Sequence, residues 1–247
     1  DPEAAYDELR EVVGRTVRRG GKVIVPAFAV GRTQELVYLL NRMITAGELP
    51  RIPVYVDSPL AVNVTDVFRL HPDMFDRETQ MFVEDNHGRS ALGFDLLTYV
   101  RSVEQSKALN DRREPMVIIS ASGMAETGRI LHHLKNNIEN PRNTVLIVSW
   151  QAPYTLGRRL ADREPEVRIF GELYQRRAEV ATIGGLSAHA GQRFLVEYAQ
   201  AVKEQVKQVF LVHGEARAAE TLMGKLREIG LDEGRVMYPE MGGSVEV

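Results

Sequence analysis

Two short stretches place a histidine just past a strand-like run. In Gly184-Gly185-Leu186-Ser187-Ala188-His189-Ala190, the imidazole follows the run Val180 to Ile183 and a flexible glycine pair. In Val209-Phe210-Leu211-Val212-His213-Gly214-Glu215, an apolar, β-branched run breaks at His-Gly, the pattern of a buried parallel strand at its carboxyl edge. Ligands of open α/β sheets gather at that edge. A helical pattern of Phe194, Leu195, Tyr198, Ala199 and Val202 follows the first stretch, so Ser187 or the amides beside it would cap a helix and face an anion such as a phosphate. The chain has no cysteine, so any metal must be held by histidine and carboxylate. The plainer readings are a strand-end histidine bonded to a neighbouring loop and, for Ser187, a helix cap and nothing more.

Other residues invite the same two-sided reading. Asp57 follows the strand-like run Ile52 to Val56 and by position alone is a helix N-cap. Ser120, Ser122 and Gly123 form a small strand-to-helix loop whose exposed amides could hold backbone phosphates, although turn chemistry explains them nearly as well. Arg32 and Thr33 stand at another such junction, and Arg158 and Arg159 follow Pro153 to Gly157. Such arginines grip nucleic acid without reading sequence, but a solvated charged face is the commoner explanation. His132 and His133 occupy adjacent helix positions that point apart and are not a chelating pair, so they are assigned to surface or core. His71 and His87 receive no role, and Glu215 either supports His213 or caps the next helix.

The elements that must position these groups follow from periodicity. Residues 4–18 carry Leu9, Val12, Val13 and Val17 at helical spacing, and Gly20-Gly21 ends them. Strands are predicted over 22–26, 52–56, 116–120 and 144–150; Val30 to Glu35 read as a loop entering a helix whose apolar face is Leu36, Val37, Leu39, Leu40 and Met43, another helix runs through Ile130 and Leu134, and residues 61–110 read as helical and irregular. This alternation predicts an α/β fold with a mostly parallel sheet flanked by helices. Short strands at 167–170 and 178–183 look like the edge of a second layer, which puts a soft boundary near residue 178. The length of 247 residues and 44% hydrophobic content suit one large or two ordinary globular domains. The net charge of −3 gives no global attraction for nucleic acid, so any RNA site must be a local concentration of Arg and Lys. The absence of cysteine fits a reducing cytoplasm, and no apolar run approaches the ~18 residues of a membrane span. The start at Asp1-Pro2, within a charged helix, suggests a segment of something longer.

Five motifs in order, Val25-Pro26-Ala27-Phe28-Ala29-Val30-Gly31-Arg32-Thr33-Gln34-Glu35, Tyr55-Val56-Asp57-Ser58-Pro59-Leu60-Ala61, Ser120-Ala121-Ser122-Gly123-Met124, Ser187-Ala188-His189-Ala190 and Val212-His213-Gly214-Glu215, resemble the β-CASP nucleases of the metallo-β-lactamase fold. The resemblance covers nearly the whole chain. It implies a zinc-dependent ribonuclease acting on single-stranded RNA, with Asp57, His189 and His213 matching the family's motifs A, B and C, the last as histidine in the RNA-processing branch. It further implies that His213 ligates zinc, that His189 contacts the scissile phosphate, and that Asp57 orients and charge-stabilises His189. The His-x-His-x-Asp-His motif that supports the family's two zinc ions has no counterpart here, so the site is expected to be incomplete and the chain alone inactive. Residues 1–177 then correspond to the β-CASP domain, and 178–247 to the returning C-terminal part of a metallo-β-lactamase αββα sandwich, partnered by an N-terminal segment of that domain. A homodimer is compatible with this reading. The rivals are a non-catalytic RNA-binding or scaffolding subunit and a stand-alone nucleotide-binding α/β domain.

Overall fold

A computed structural model describes residues 2–186, 189–232 and 234–244, with the backbone alone at Pro2. Contacts divide the chain into two compact units, residues 1–186 and 187–247.

In the first unit, helix α1 (Pro2–Arg18) buries Leu9, Val12 and Val13. Its end is set by Gly20 at φ 75°, where the Gly20 amide donates to the Val17 carbonyl and the Gly21 amide to Thr16. This paired closure needs a residue tolerant of the left-handed region. Then come β1 (Val23–Pro26), α2 (Arg32–Thr45), β2 (Val54–Val56), α3 (Pro59–Leu70), α4 (Arg77–Asp85), β3 (Leu97–Tyr99), α5 (Val103–Asp111), β4 (Val117–Ser120), α6 (Arg129–Asn137), β5 (Thr144–Ile147), α7 (Leu156–Ala161), β6 (Glu166–Ile169), β7 (Glu172–Gln175) and β8 (Glu179–Thr182).

Six strands form one sheet in the order β3-β2-β4-β1-β5-β8, every pairing parallel. The sequences VIVP, VYV, VIIS and TVLI are buried throughout, because helices cover both faces. Alternation along each strand sorts the side chains into two cores: Val23, Val25, Val117 and Ile119 pack on one side with Leu36, Val37 and Leu40 of α2, and Ile24 and Ile118 on the other with Ile130 and Leu134 of α6. Each such buried side chain contributes roughly 1.5–3 kcal/mol.

Two expectations need correcting. Within the stretch read as helical lies β3, Leu-Thr-Tyr, a three-residue edge strand only half buried and too short to show a period. The stretch 178–183 is not the edge of a second layer: β8 pairs with β5, Val145 opposite Val180, and closes the main sheet. β6 and β7 form a separate antiparallel ribbon.

The second unit contains α8 (Gln192–Val202), β9 (Val209–Phe210), α9 (Ala216–Glu228) and β10 (Val236–Met237). Its two strands pair in parallel, and its small core is Ala199, Leu226, Leu231 and Val236. The strand expected over 209–212 is regular only at Val209 and Phe210, although the Leu211 amide still bonds the Met237 carbonyl at 2.8 Å. No described helix is long and apolar enough to cross a membrane.

Candidate nucleic-acid interface

Because the six strands run the same way, the loops that follow them collect at one edge of the first unit. Asp57 stands at the end of β2 with 0% exposure. Its carboxylate accepts from Arg129 Nη1 at 2.6 Å, from His133 Nε2 at 2.7 Å and from the Ser106 hydroxyl, while its carbonyl accepts from Ser120 Oγ at 2.7 Å. Burial is the largest influence on this carboxyl and pushes its pKa up, but the bonds from His133, Ser106 and Arg129 together outweigh it and hold the group below its usual range. Arg129 also donates to the Val100 and Arg101 carbonyls, at 3.4 and 2.8 Å, so one guanidinium joins the loops after β2 and β3. The His133 ring faces Asn110 Oδ1 at 3.0 Å through Nδ1, which extends the network into α5.

The buried Asp57 carboxylate therefore sits in a polar knot with Ser106, Arg129 and His133 as its described side-chain partners. Asp57 is not the helix cap that position alone suggested: Ser58 caps α3, its hydroxyl accepting from the Ala61 amide at 3.3 Å. The residues that sequence reasoning passed over are Arg129 and His133. They lie four apart on α6, one helical face, and that spacing was the available signal; the eye-catching pair His132-His133 concealed it. His133 is fully buried, and His132 is exposed with its ring 4.7 Å from that of Phe170.

Several residues expected to contact phosphate are bonded within the protein. Ser120 is buried and its hydroxyl is spent on Asp57. Thr33 is buried and donates to the Phe28 carbonyl at 2.8 Å, and Arg32, mostly buried, pairs with Glu35. Gly123 lies beneath Phe28, where a Cβ would come 2.8 Å from the ring, and its carbonyl accepts from Gln151 Nε2 at 3.0 Å. Ser122 Oγ accepts from the Glu126 and Thr127 amides, each at 3.2 Å, and Arg158 pairs with Asp162. Ser187 lies outside the described residues. Burial thus removes Ser120, Thr33 and Gly123 from the accessible surface and leaves Arg32, Ser122 and Arg158 partly exposed.

In the second unit both histidines are exposed. His189 precedes the Gly191 N-cap of α8. His213 bridges β9 and α9 with φ 66°, held next to a loop carbonyl, Gly214, that accepts from the Tyr238 hydroxyl at 2.8 Å. A left-handed backbone at a non-glycine residue is uncommon and strained, a state that clusters at working sites. Among the described residues no three His, Asp or Glu side chains gather as a metal cluster. A catalytic zinc takes about three protein ligands, so the described donors do not fit a complete zinc site.

Residues 33–160 match the family model described as the Beta-Casp domain, and residues 173–239 match that of a Zn-dependent metallo-hydrolase RNA specificity domain. The chain belongs to the β-CASP family. It is 41% identical over 210 residues to ribonuclease TTHA0252 of Thermus thermophilus, an alignment that covers 84% of this chain and 46% of that protein. Similarity to an RNase J-like protein of Methanocaldococcus jannaschii is 31% over 208 residues, with the same two coverages. The transcription termination factor FttA of Methanosarcina mazei is 32% identical over 219 residues, 87% of this chain and 34% of that one. The chain spans less than half the length of these relatives. In this β-CASP chain the first family model falls within the six-stranded unit, while the second begins at β7 and runs through β10.

Proposed function

We propose that this chain supplies the RNA-binding β-CASP part, and one portion of the active site, of a zinc-dependent ribonuclease that hydrolyses phosphodiester bonds in single-stranded RNA. The observation that carries the reading is the strained, exposed His213 at the strand-end position, within a segment matched by an RNA specificity domain. In this reading residues 187–247 help complete a metallo-hydrolase domain while β8 stays with the six-stranded sheet, His213 is one of several zinc donors, and His189 bonds the phosphate that is cut. Zinc, when bound, supplies the Lewis acid and the activated water. Ser122, Arg158 and Ser187 remain candidates for contacts to the RNA backbone. Asp57 acts one step removed, by fixing the loops after β2, β3 and β4. The lack of cysteine supports a reducing, cytoplasmic setting.

The experiment compares His189→Ala and His213→Ala in the full-length protein, scoring RNA cleavage and zinc content together. Cleavage should vanish in both, with zinc lost only from the His213 variant; equal loss of zinc in both would overturn the division of roles. A full-length wild type that binds RNA and never cuts it would favour a scaffolding subunit over a nuclease.

A further inference from the structure

Strands β4, β1 and β5 are consecutive neighbours in the sheet, so the loops that follow them meet at its carboxyl edge. Two of these loops carry large aromatic side chains left open to solvent: Phe28 after β1, 43% exposed, and Trp150 and Tyr154 after β5, 61% and 92% exposed. Single exposed apolar residues are ordinary; three aromatic rings on adjoining loops are not.

The loops are held from below. Phe28 rests on Gly123, where a side chain would collide with its ring. Gln151, next to Trp150 and only 4% exposed, reaches from its own loop to the Gly123 carbonyl and to Ser149. Its Oε1 occupies the place where a Cβ on Gly157 would stand, 1.7 Å away. Thr155 caps α7, and the Leu156 and Gly157 amides bond Glu126 and the Met124 carbonyl in the loop after β4. Tyr154 is presented from this clamped turn at φ 71°. The backbone is thus spent on rigidity while the rings face outward.

We propose that Phe28, Trp150 and Tyr154 form a stacking surface for the unpaired bases of single-stranded RNA. The inference rests on the RNA-processing reading above, and it adds base-contacting residues other than His189 and His213. Aromatic rings on rigid loops suit this occupant because every base offers a π-face, so stacking grips RNA without choosing a sequence. Exposed Arg159, further along the same segment, adds a cation suited to the backbone. An RNA specificity domain matched in the same chain favours RNA over a protein partner.

Trp150 is the sole tryptophan, so its fluorescence reports the site directly in this 247-residue chain, without zinc or cleavage. Titration with a short oligouridylate should quench it, and an abasic ribose-phosphate chain of equal length should bind about 5- to 100-fold more weakly and leave emission unchanged. Tyr154→Leu and Phe28→Leu should each weaken oligouridylate binding by about the same range, followed by Trp150 quenching. By anisotropy of labelled RNA, Trp150→Phe should retain binding where Trp150→Leu loses it. Equal binding of the abasic chain, or leucine variants as good as wild type, would overturn the proposal. Circular dichroism of each variant separates a lost ring from a lost fold. Normal stacking by this chain, with no cleavage by the full-length protein, would sink the nuclease reading and leave the stacking surface standing.

Discussion

Asp57 and His213 both stand just past a parallel strand, yet the first is sealed and the second lies open. β2, which leads to Asp57, has a strand on each side and helices over both faces, so the carboxylate is buried and must find donors within the protein. β9, which leads to His213, has β10 as its described neighbour and a core of few residues beneath it. The lesson is that a strand-end position makes a polar residue a candidate, and the number of layers around the strand decides its work. Where the sheet is wide, the polar group ties loops together; where it is narrow, the imidazole stays available to a ligand.

Mutation at Asp57 should break this contrast most visibly. Asp57→Ala leaves His133 buried and Arg129 without its carboxylate, and should cost about 3–5 kcal/mol of stability, read by urea unfolding of the chain. A loss below ~1 kcal/mol would show that the knot is not what holds the edge. Gly157→Ala should come next, at about 1–3 kcal/mol, because the new Cβ would drive Gln151 out and meet the Met124 carbonyl at 2.8 Å. Unchanged stability there would mean that the loops after β4 and β5 are joined less firmly than their bonds suggest.

A smaller effect follows from pH. The folded pKa of Asp57 is depressed, so its stabilisation is complete above the ordinary carboxylate value near 4 and is lost as pH falls through the lower folded value. Asp57→Asn should therefore flatten the acid limb of stability measured below about pH 4, and an acid limb identical to wild type would refute the assignment. His213→Gly should change stability least, with a gain of no more than about 1 kcal/mol from relief of the left-handed backbone, checked by thermal unfolding. A large destabilisation would place His213 with Asp57 as a structural residue and erase the contrast.

Much of the sheet was legible because its strands are buried on both faces. Val23-Ile24-Val25, closed by Pro26, and Val117-Ile118-Ile119, followed by Ser122-Gly123, leave few alternatives. β3 was not legible: Leu-Thr-Tyr is an edge strand held by one neighbour, and nothing local sets it apart from the helical stretch around it. β8 was visible as a strand, but its place beside β5 depends on contacts between segments more than thirty residues apart. At the candidate interface, residue types marked polar groups past the strand ends, and packing set which of them stay exposed. Ser120 and Thr33 have the chemistry of phosphate contacts, and burial turned that chemistry inward.

The sequence by itself determined the alternation of strands and helices and the parallel sheet, because these follow from periodicity and from glycine and proline punctuation along the chain. Only the tertiary structure decided that Asp57 answers to Arg129 and His133, that Gly123 is roofed by Phe28, and that Trp150 and Tyr154 stand clear of the core. Periodicity assigns a residue to a face, whereas burial and partnership arise where distant segments pack, and those contacts select which polar groups are spent on the fold.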